Sequence, residues 1–213
     1  MIEIIDSQTE DIVIGNKIIR PWRTCKNMNL TPAHPRNFKT EKSTVWSFPN
    51  RDWASHTSQY RGTWSPRVVR NIIELYSKPG DTVLDPMVGG GTTPVECMLL
   101  GRNSLSSDIN PRAISITKDR LDLPISMTCG LKLTSHRTFV GDIRDLNLIE
   151  DSSVDLVATH PPYANMIKYA ASVAGDLSQI EDYDVFFREF GRGIAELYRV
   201  VKPCGYCAIL IGN

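Results

Sequence analysis

Apolar residues in this chain become periodic only after position 64. Val68, Val69, Ile72, Ile73 and Tyr76 recur at the three- and four-residue spacing of one helix face. Ser65-Pro66 offers that helix an N-cap and a proline at its first position. Lys78-Pro79-Gly80-Asp81 ends it and turns the chain. Short apolar runs then alternate with further helical repeats. Thr82-Val83-Leu84 predicts a first buried strand, followed by a helix from Thr93-Pro94 to a C-capping Gly101. Asn103 to Ser107 predicts a second strand, and Asn110-Pro111 opens a helix through Leu121. Third and fourth strands are predicted at Arg137 to Val140 and Val154 to Thr159. A long helix from about Tyr183 to Val200 offers Phe186, Phe187, Phe190, Ile194 and Leu197 as its apolar face, and Tyr206 to Ile211 predicts a fifth strand. Such alternation implies an α/β fold with a mostly parallel sheet covered on both faces. Ligands in such sheets sit at the carboxyl ends of the strands.

Residues 1–64 carry Pro, Asn, Thr and Trp without a clear period. They read as a basic extension of loops and short elements, with residues 65–213 as the α/β domain. Composition adds exclusions. Of the 213 residues, 41% are hydrophobic and 23% charged, which excludes a mainly disordered chain, a collagen repeat and a coiled-coil rod. No apolar run approaches the roughly 18 residues of a membrane span, so no membrane partner is expected. Met1 to Asp11 holds four acids and no base, unlike a secretory signal. Five cysteines, an odd number, fit a reduced cytoplasmic protein. Net charge is zero but unevenly spread: Asn16 to Ile73 has eleven Lys/Arg against two acids, Glu41 and Asp52. That excess predicts a polyanion contact, with Arg61 and Arg67 as candidates for phosphate; a solvated basic surface is the other reading.

The candidate chemistry clusters at strand ends. Asp85-Pro86-Met87-Val88-Gly89-Gly90-Gly91-Thr92-Thr93 follows the first strand directly. Glycines let a ligand approach the backbone, and the helix that follows aims free N–H groups at the same place. No Lys follows the glycines, so the segment is not a Walker A loop, and G-x-G-x-x-G spacing is absent. Asp85 would repel a phosphate there and welcome a ligand ammonium group. Asp108, at the end of the second strand, can accept both hydroxyls of a ribose. Asp142, after the third strand, can accept from an adenine amino group. Each acid alone could be a cap; three at successive strand ends favour one convergent site.

Thr159-His160-Pro161-Pro162-Tyr163 follows the fourth strand. Two prolines fix the backbone and remove two N–H donors, leaving carbonyls to face a ligand. Tyr163 offers a ring on which a base can stack. An exocyclic amino group is a poor nucleophile because its lone pair is delocalised. Acceptors at His160 and at the His160 or Pro161 carbonyl could hold both N–H groups and redirect that lone pair.

Together these segments resemble the amino-group DNA methyltransferases that use S-adenosylmethionine. The glycine segment is similar to their D-P-F-x-G-x-G-T-T motif, with Met87 in place of Phe, and Thr159 to Tyr163 to their (S/T/D/N)-P-P-Y motif. Arg199-Val-Val-Lys202-Pro203 resembles their R-V-L-K-P-G-G segment. The region from Trp46 to Trp64, with Tyr60-Arg61-Gly62, is similar to the element that closes the methionine end of the cofactor pocket. The resemblance implies a Rossmann-like fold and S-adenosylmethionine as cofactor, bound by Asp85, Pro86, Gly89, Gly91, Thr92, Thr93, Asp108, Asp142 and Tyr60. It implies DNA as substrate and His160, Pro161, Pro162 and Tyr163 as catalytic residues, with transfer to a base amino nitrogen, cytosine N4 ahead of adenine N6, in a restriction-modification setting. An RNA amino methyltransferase and a non-catalytic nucleic-acid-binding subunit are the alternatives.

Two departures stand out. His160 occupies the place of Ser, Asp or Asn, although a neutral imidazole still accepts one hydrogen bond. The family's sheet continues past its fifth strand, whereas this sequence ends at Asn213; the expectation is a truncated chain, a fragment or half of a split enzyme. The fifth strand would then expose an edge that self-associates or pairs with a complementing chain. Cys204-Gly205-Tyr206-Cys207 has redox or zinc spacing, but no second such pair exists, and buried thiols are the expectation. His34, His56 and His136 read as loop histidines, and no metal is expected.

Overall fold

A computed structural model describes residues 12–14, 17–19, 38–48, 55, 57, 59–122, 133–162 and 173–211. The calls on His34, His56 and Tyr163 fall outside them. Two short strands, β1 (Ile12–Ile14) and β2 (Lys17–Ile19), pair antiparallel. The body then runs α1 (Pro66–Tyr76), β3 (Thr82–Asp85), α2 (Thr92–Leu99), β4 (Asn103–Asp108), α3 (Pro111–Leu121), β5 (His136–Val140), β6 (Val154–Thr159), α4 (Tyr183–Val200) and β7 (Val201–Ile209).

The last five strands form one sheet in the order β5-β4-β3-β6-β7, with every pair parallel. The expected Rossmann-like sheet is therefore present, and its strand order reverses between β3 and β6. Ligands of open parallel sheets bind at that reversal, outside the carboxyl ends. Both faces are covered, as continuous apolar strands require. Val83, Leu156 and Ala158 pack against Val69, Ile72 and Ile73 of α1 on one face. Leu84 and Val157 pack against Phe186, Phe190, Leu197 and Val200 of α4 on the other.

Local signals explain most boundaries. Asn110 caps α3 by accepting from the Arg112 N–H at 3.0 Å, and Asp182 caps α4 by accepting from Val185 at 2.9 Å. Gly101 follows α2 at φ 72°, as a C-terminal glycine should.

Five expectations are corrected. Ser65 has cap-like backbone angles but no side-chain cap bond. The face of α4 is Phe186, Phe190, Gly193, Leu197 and Val200; Phe187 and Ile194, one residue off that stripe, are exposed. β7 starts at Val201, not Tyr206, because Pro203 and Gly205 lie in a bulge rather than before the strand. Val154 faces Val201 and Leu156 faces Tyr206, so five steps along β7 match two along β6. Cys204 and Cys207 are exposed, not buried, since β7 pairs only with β6 among the described residues. Cys204 also takes φ 65°, a conformation that suits the glycine of the related motif.

His136 is the fifth correction. It is buried at the start of β5, its Nδ1 2.8 Å from the Ser104 hydroxyl and its Nε2 2.7 Å from that of Thr134. Burial lowers its pKa to about 4. The stability this neutral ring contributes is complete above its unfolded pKa of about 6.5 and is lost as pH falls through about 4. The urea-derived stability gap between wild type and His136→Gln should shrink over that window, by roughly 3 kcal/mol at most. A pH-independent gap would rule the linkage out.

Candidate active site

A cleft of about 750 Å³, its open mouth included, lies across the carboxyl ends of β3 to β6, where open parallel sheets bind their ligands. Its walls are Pro86 to Gly90, Asp108 to Asn110, Gly141 to Ile143, His160 with Pro162, and Gly175 to Leu177. Tyr60 and Gly62 to Trp64 close it from the N-terminal segment.

The glycine loop leaves no room for side chains. Gly89 has φ 51°, and a Cβ on it would lie 3.0 Å from the Tyr60 ring; one on Gly90 would lie 2.9 Å from the methyls of Thr57 and Thr63. The N-terminal segment thus rests on bare backbone. Thr92 opens α2 and lines the cleft, yet its buried Oγ1 has no hydrogen-bond partner among the described residues. Leaving such a hydroxyl unsatisfied costs about 1–3 kcal/mol, so a polar ligand atom fits there.

Asp85 is buried behind this wall. Its Oδ1 accepts from the Met87 N–H at 3.2 Å and the Thr159 hydroxyl at 2.9 Å, and its Oδ2 from the Thr93 hydroxyl at 2.5 Å. Burial outweighs these donors and raises its pKa to about 7. The carboxylate that the sequence offers to a ligand ammonium group is thus engaged inside the protein. Gly91, Thr93 and Pro161 are likewise buried, apart from the residues lining the cleft.

Asp108 does face the cleft. Its Oδ2 accepts from the Gly89 N–H and its Oδ1 from the Asn110 N–H, both at 2.9 Å. Each oxygen retains a lone pair for a ribose hydroxyl. Burial raises its pKa to about 6, against those two N–H donors. Asp142 also lines the cleft, but Arg144 holds both its oxygens, with Nη2 2.6 Å from Oδ2 and Nε 3.0 Å from Oδ1. The same guanidinium donates to the Gly175 carbonyl at 2.7 Å and to Glu189 of α4 at 2.9 Å.

On the β6 side, His160 lies nearly flat on the buried Trp64, with ring centroids 5.9 Å apart and 23° between planes. Trp64 is anchored among Val69, Ile72 and Leu156. Arg61 is exposed and Arg67 half-buried, both outside the cleft lining. The turn at Gly175-Asp176-Leu177 was not among the sequence candidates, and Trp64 was read only as the end of the pocket-closing region, not as a partner of His160. The signal for the turn was Asp176, which caps a 3-10 turn at Leu177–Gln179 by accepting from Ser178 at 2.8 Å.

Comparison with known proteins decides the family. A model described as DNA methylase matches residues 13–119, and one described as the RMKL-like methyltransferase domain matches residues 75–196. The chain belongs to the DNA methylase family. The chain is 33% identical over 132 residues to a tRNA (guanine(10)-N2)-dimethyltransferase of Methanothermobacter thermautotrophicus, covering 62% of this chain and 34% of that one. It is 32% identical over 127 residues to the DNA adenine methyltransferase YhdJ of Escherichia coli, covering 59% of this chain and 43% of the relative. In fold it is similar to TrmN from Thermus thermophilus, with TM-score 0.53 and 18% identity over 70% of this chain and 39% of that one. The chain spans about a third of the length of the curated relatives it matches first, 34% and 28%.

The family's cofactor is S-adenosylmethionine, and the cleft fits it. Asp108 presents a carboxylate, Thr92 an unsatisfied hydroxyl, and Met87 and Ile143 apolar surface. Among the described residues no group of His, Cys, Asp and Glu could hold a metal, and no helix is long and apolar enough to cross a membrane.

Two outcomes are expected. Asp108→Ala should weaken S-adenosylmethionine binding by about 2–3 kcal/mol, the scale of hydrogen bonds to a charged group; unchanged affinity by calorimetry in a folded variant would remove Asp108 from the site. Asp85 has the opposite pH signature to His136. Its native pKa is raised from 3.8 to about 7, so its contribution to stability is complete below the unfolded value and is lost as pH rises through the folded one. The stability difference between wild type and Asp85→Asn should fall from pH 4 to pH 7, and a flat difference in urea titrations would contradict the buried assignment.

Proposed function

We propose that this chain carries the cofactor-binding and catalytic module of a DNA amino-methyltransferase, acting on cytosine N4 ahead of adenine N6 in a restriction-modification setting. The observation that carries this reading is the Thr159–Asp85 hydrogen bond, 2.9 Å long. It joins the start of the His-Pro-Pro segment to the loop that cradles the cofactor, so both face one cleft.

The cofactor supplies an electrophilic methyl group on a sulfonium, and displacement at that carbon needs the amino nitrogen in line with it. The chain's part is therefore positioning. Asp108 holds the ribose, while Gly89, Gly90 and Thr92 hold the far end of the cofactor. Pro161 and Pro162 keep the β6 loop extended, so that carbonyls accept from the target amino group. His160, flat on Trp64, presents an in-plane nitrogen as a further acceptor, and Tyr163 stacks on the base. The N–C bond would form as the sulfonium C–S bond breaks to leave a neutral thioether, and the amino proton then passes to solvent. A base inside a duplex cannot reach this cleft, so flipping is part of the reaction.

Arg61 and Arg67 are the proposed phosphate contacts. DNA, the cofactor, and a second copy or complementing strand at the outer edge of β7 are the proposed partners, and the cytoplasm the proposed location. A second reading, methylation of an RNA amino group, is supported by the similarity to the tRNA dimethyltransferase over 62% of this chain.

The test is transfer from methyl-labelled S-adenosylmethionine to duplex DNA and, in parallel, to bulk tRNA. Label in DNA as N4-methylcytosine, lost on Tyr163→Ala with cofactor affinity retained, is the expected result. Label in tRNA alone would establish the second reading. Cofactor binding without transfer to either would leave a non-catalytic subunit.

A further inference from the structure

Arg120 stands in the last turn of α3, and no motif of the family draws attention to it. Its guanidinium bridges two backbone carbonyls from separate parts of the chain. Nη1 donates to the Gly90 carbonyl in the glycine loop, and Nη2 to the Ser55 carbonyl in the N-terminal segment. The two acceptors lie on either side of the seam along which Tyr60, Thr57 and Thr63 rest on Gly89 and Gly90.

The Ser55 end of the seam is itself fixed. Ser55 is fully buried, and its hydroxyl donates to Glu96 Oε1. Glu96 is fully buried on α2, and its Oε2 accepts from Arg70 Nε of α1 at 2.9 Å. Glu96 therefore anchors Ser55, while Arg120 ties Ser55 to the glycine loop. Burial lowers the Arg120 pKa to about 10, with the Glu96 charge opposing, so the group stays cationic at neutral pH.

The strand order tells which part of the cofactor this seam faces. Asp142, Asp108 and the glycine loop follow β5, β4 and β3, which are neighbours in that order. With the ribose at Asp108, the apolar side at Ile143 takes the adenine. The glycine loop, its unsatisfied Thr92 hydroxyl and Tyr60 are left for the amino-acid end.

We propose that Arg120 is a positioning residue: its forked contact sets the gap between the glycine loop and residues 59–64, and so governs binding of the methionine half of the cofactor without touching the adenosine half. A planar guanidinium with divergent donors spans two carbonyls; a lysine ammonium is a single point on a flexible stem.

The test uses the full chain carrying Arg120→Lys and, separately, Arg120→Met. Calorimetry with S-adenosylmethionine and with 5′-methylthioadenosine, which lacks the amino-acid portion, separates the two halves. Both variants should bind S-adenosylmethionine about ten-fold more weakly and 5′-methylthioadenosine as wild type does. Hydrogen exchange should quicken at the amides of residues 59–64 while the amides of β3, β4 and β6 keep their protection. Unchanged affinity for S-adenosylmethionine, or equal losses for both ligands, would overturn the proposal. Loss of sheet protection in both variants would also overturn it, by showing that Arg120 holds the fold and not the seam. Both ligand arms measure binding alone, so neither depends on whether DNA or RNA is the substrate.

Discussion

The working end of this chain depends on one buried carboxyl group. Asp85 ends β3 at the point where the sheet's strand order reverses, and it gathers donors from three directions: its own loop at Met87, the start of α2 at Thr93 and the end of β6 at Thr159. Parallel strands alone would leave β3 and β6 side by side with their exits free to diverge. The shared carboxyl group pins both exits, and with them the cofactor loop and the His-Pro-Pro segment. A buried acid costs stability unless its donors compensate, and a pKa raised to about 7 shows that here they do so only in part. A residue kept at that cost holds the spacing between two loops, because a hydrophobic side chain could join none of the three donors.

A second layer is built from the N-terminal segment, and it changes the meaning of the charge excess. Arg70, counted among the basic residues, is buried against Glu96 and lies 5.9 Å over the Phe38 ring. Glu41 and Asn71 exchange two hydrogen bonds, at 2.7 and 3.0 Å, and Thr40 donates to Glu74 at 2.6 Å. These contacts bind residues 40 and 41 to α1. A basic residue spent on an internal acid offers nothing to a polyanion, so total charge overstates the surface available to DNA. Arg61 is exposed and makes the better candidate of the two arginines named for that role.

The sheet and its order of elements were legible because strand and helix periods differ and because prolines and glycines mark the turns. Asp108 and the glycine loop were legible because strand ends converge in a parallel sheet. What the sequence hid were contacts between distant segments. Asp142 and Arg144 are only two residues apart, but nothing near them shows that the same guanidinium will reach Gly175 and Glu189, 31 and 45 residues further on. Nothing near Thr159 shows that its hydroxyl reaches Asp85, 74 residues away. His136 looked like a loop residue because its shelter, the Ser104 hydroxyl on β4, lies 32 residues before it. Phe187 looked like core because its neighbour Phe186 is core, and one residue turns a helix by about 100°.

His160 shows how one such contact bears on the proposed chemistry. Ser, Asp and Asn at this place are short side chains whose acceptor oxygen follows the backbone. Histidine carries its acceptor further out, and a free imidazole would spread it over many directions. Trp64 limits that freedom from one side: it is buried among α1 and β6 residues, and the imidazole lies within 23° of its plane with 5.9 Å between ring centroids. The nitrogens then point only within the plane of the stack. An amino group that donates to one of them must approach edge-on, and the amino groups of cytosine and adenine both lie in their ring planes. In the proposed reaction His160 sets the direction of approach without distinguishing the two bases. In the proposed reaction, discrimination between them falls to residues that meet the remainder of the ring, such as Tyr163 and whatever part of the protein carries DNA recognition.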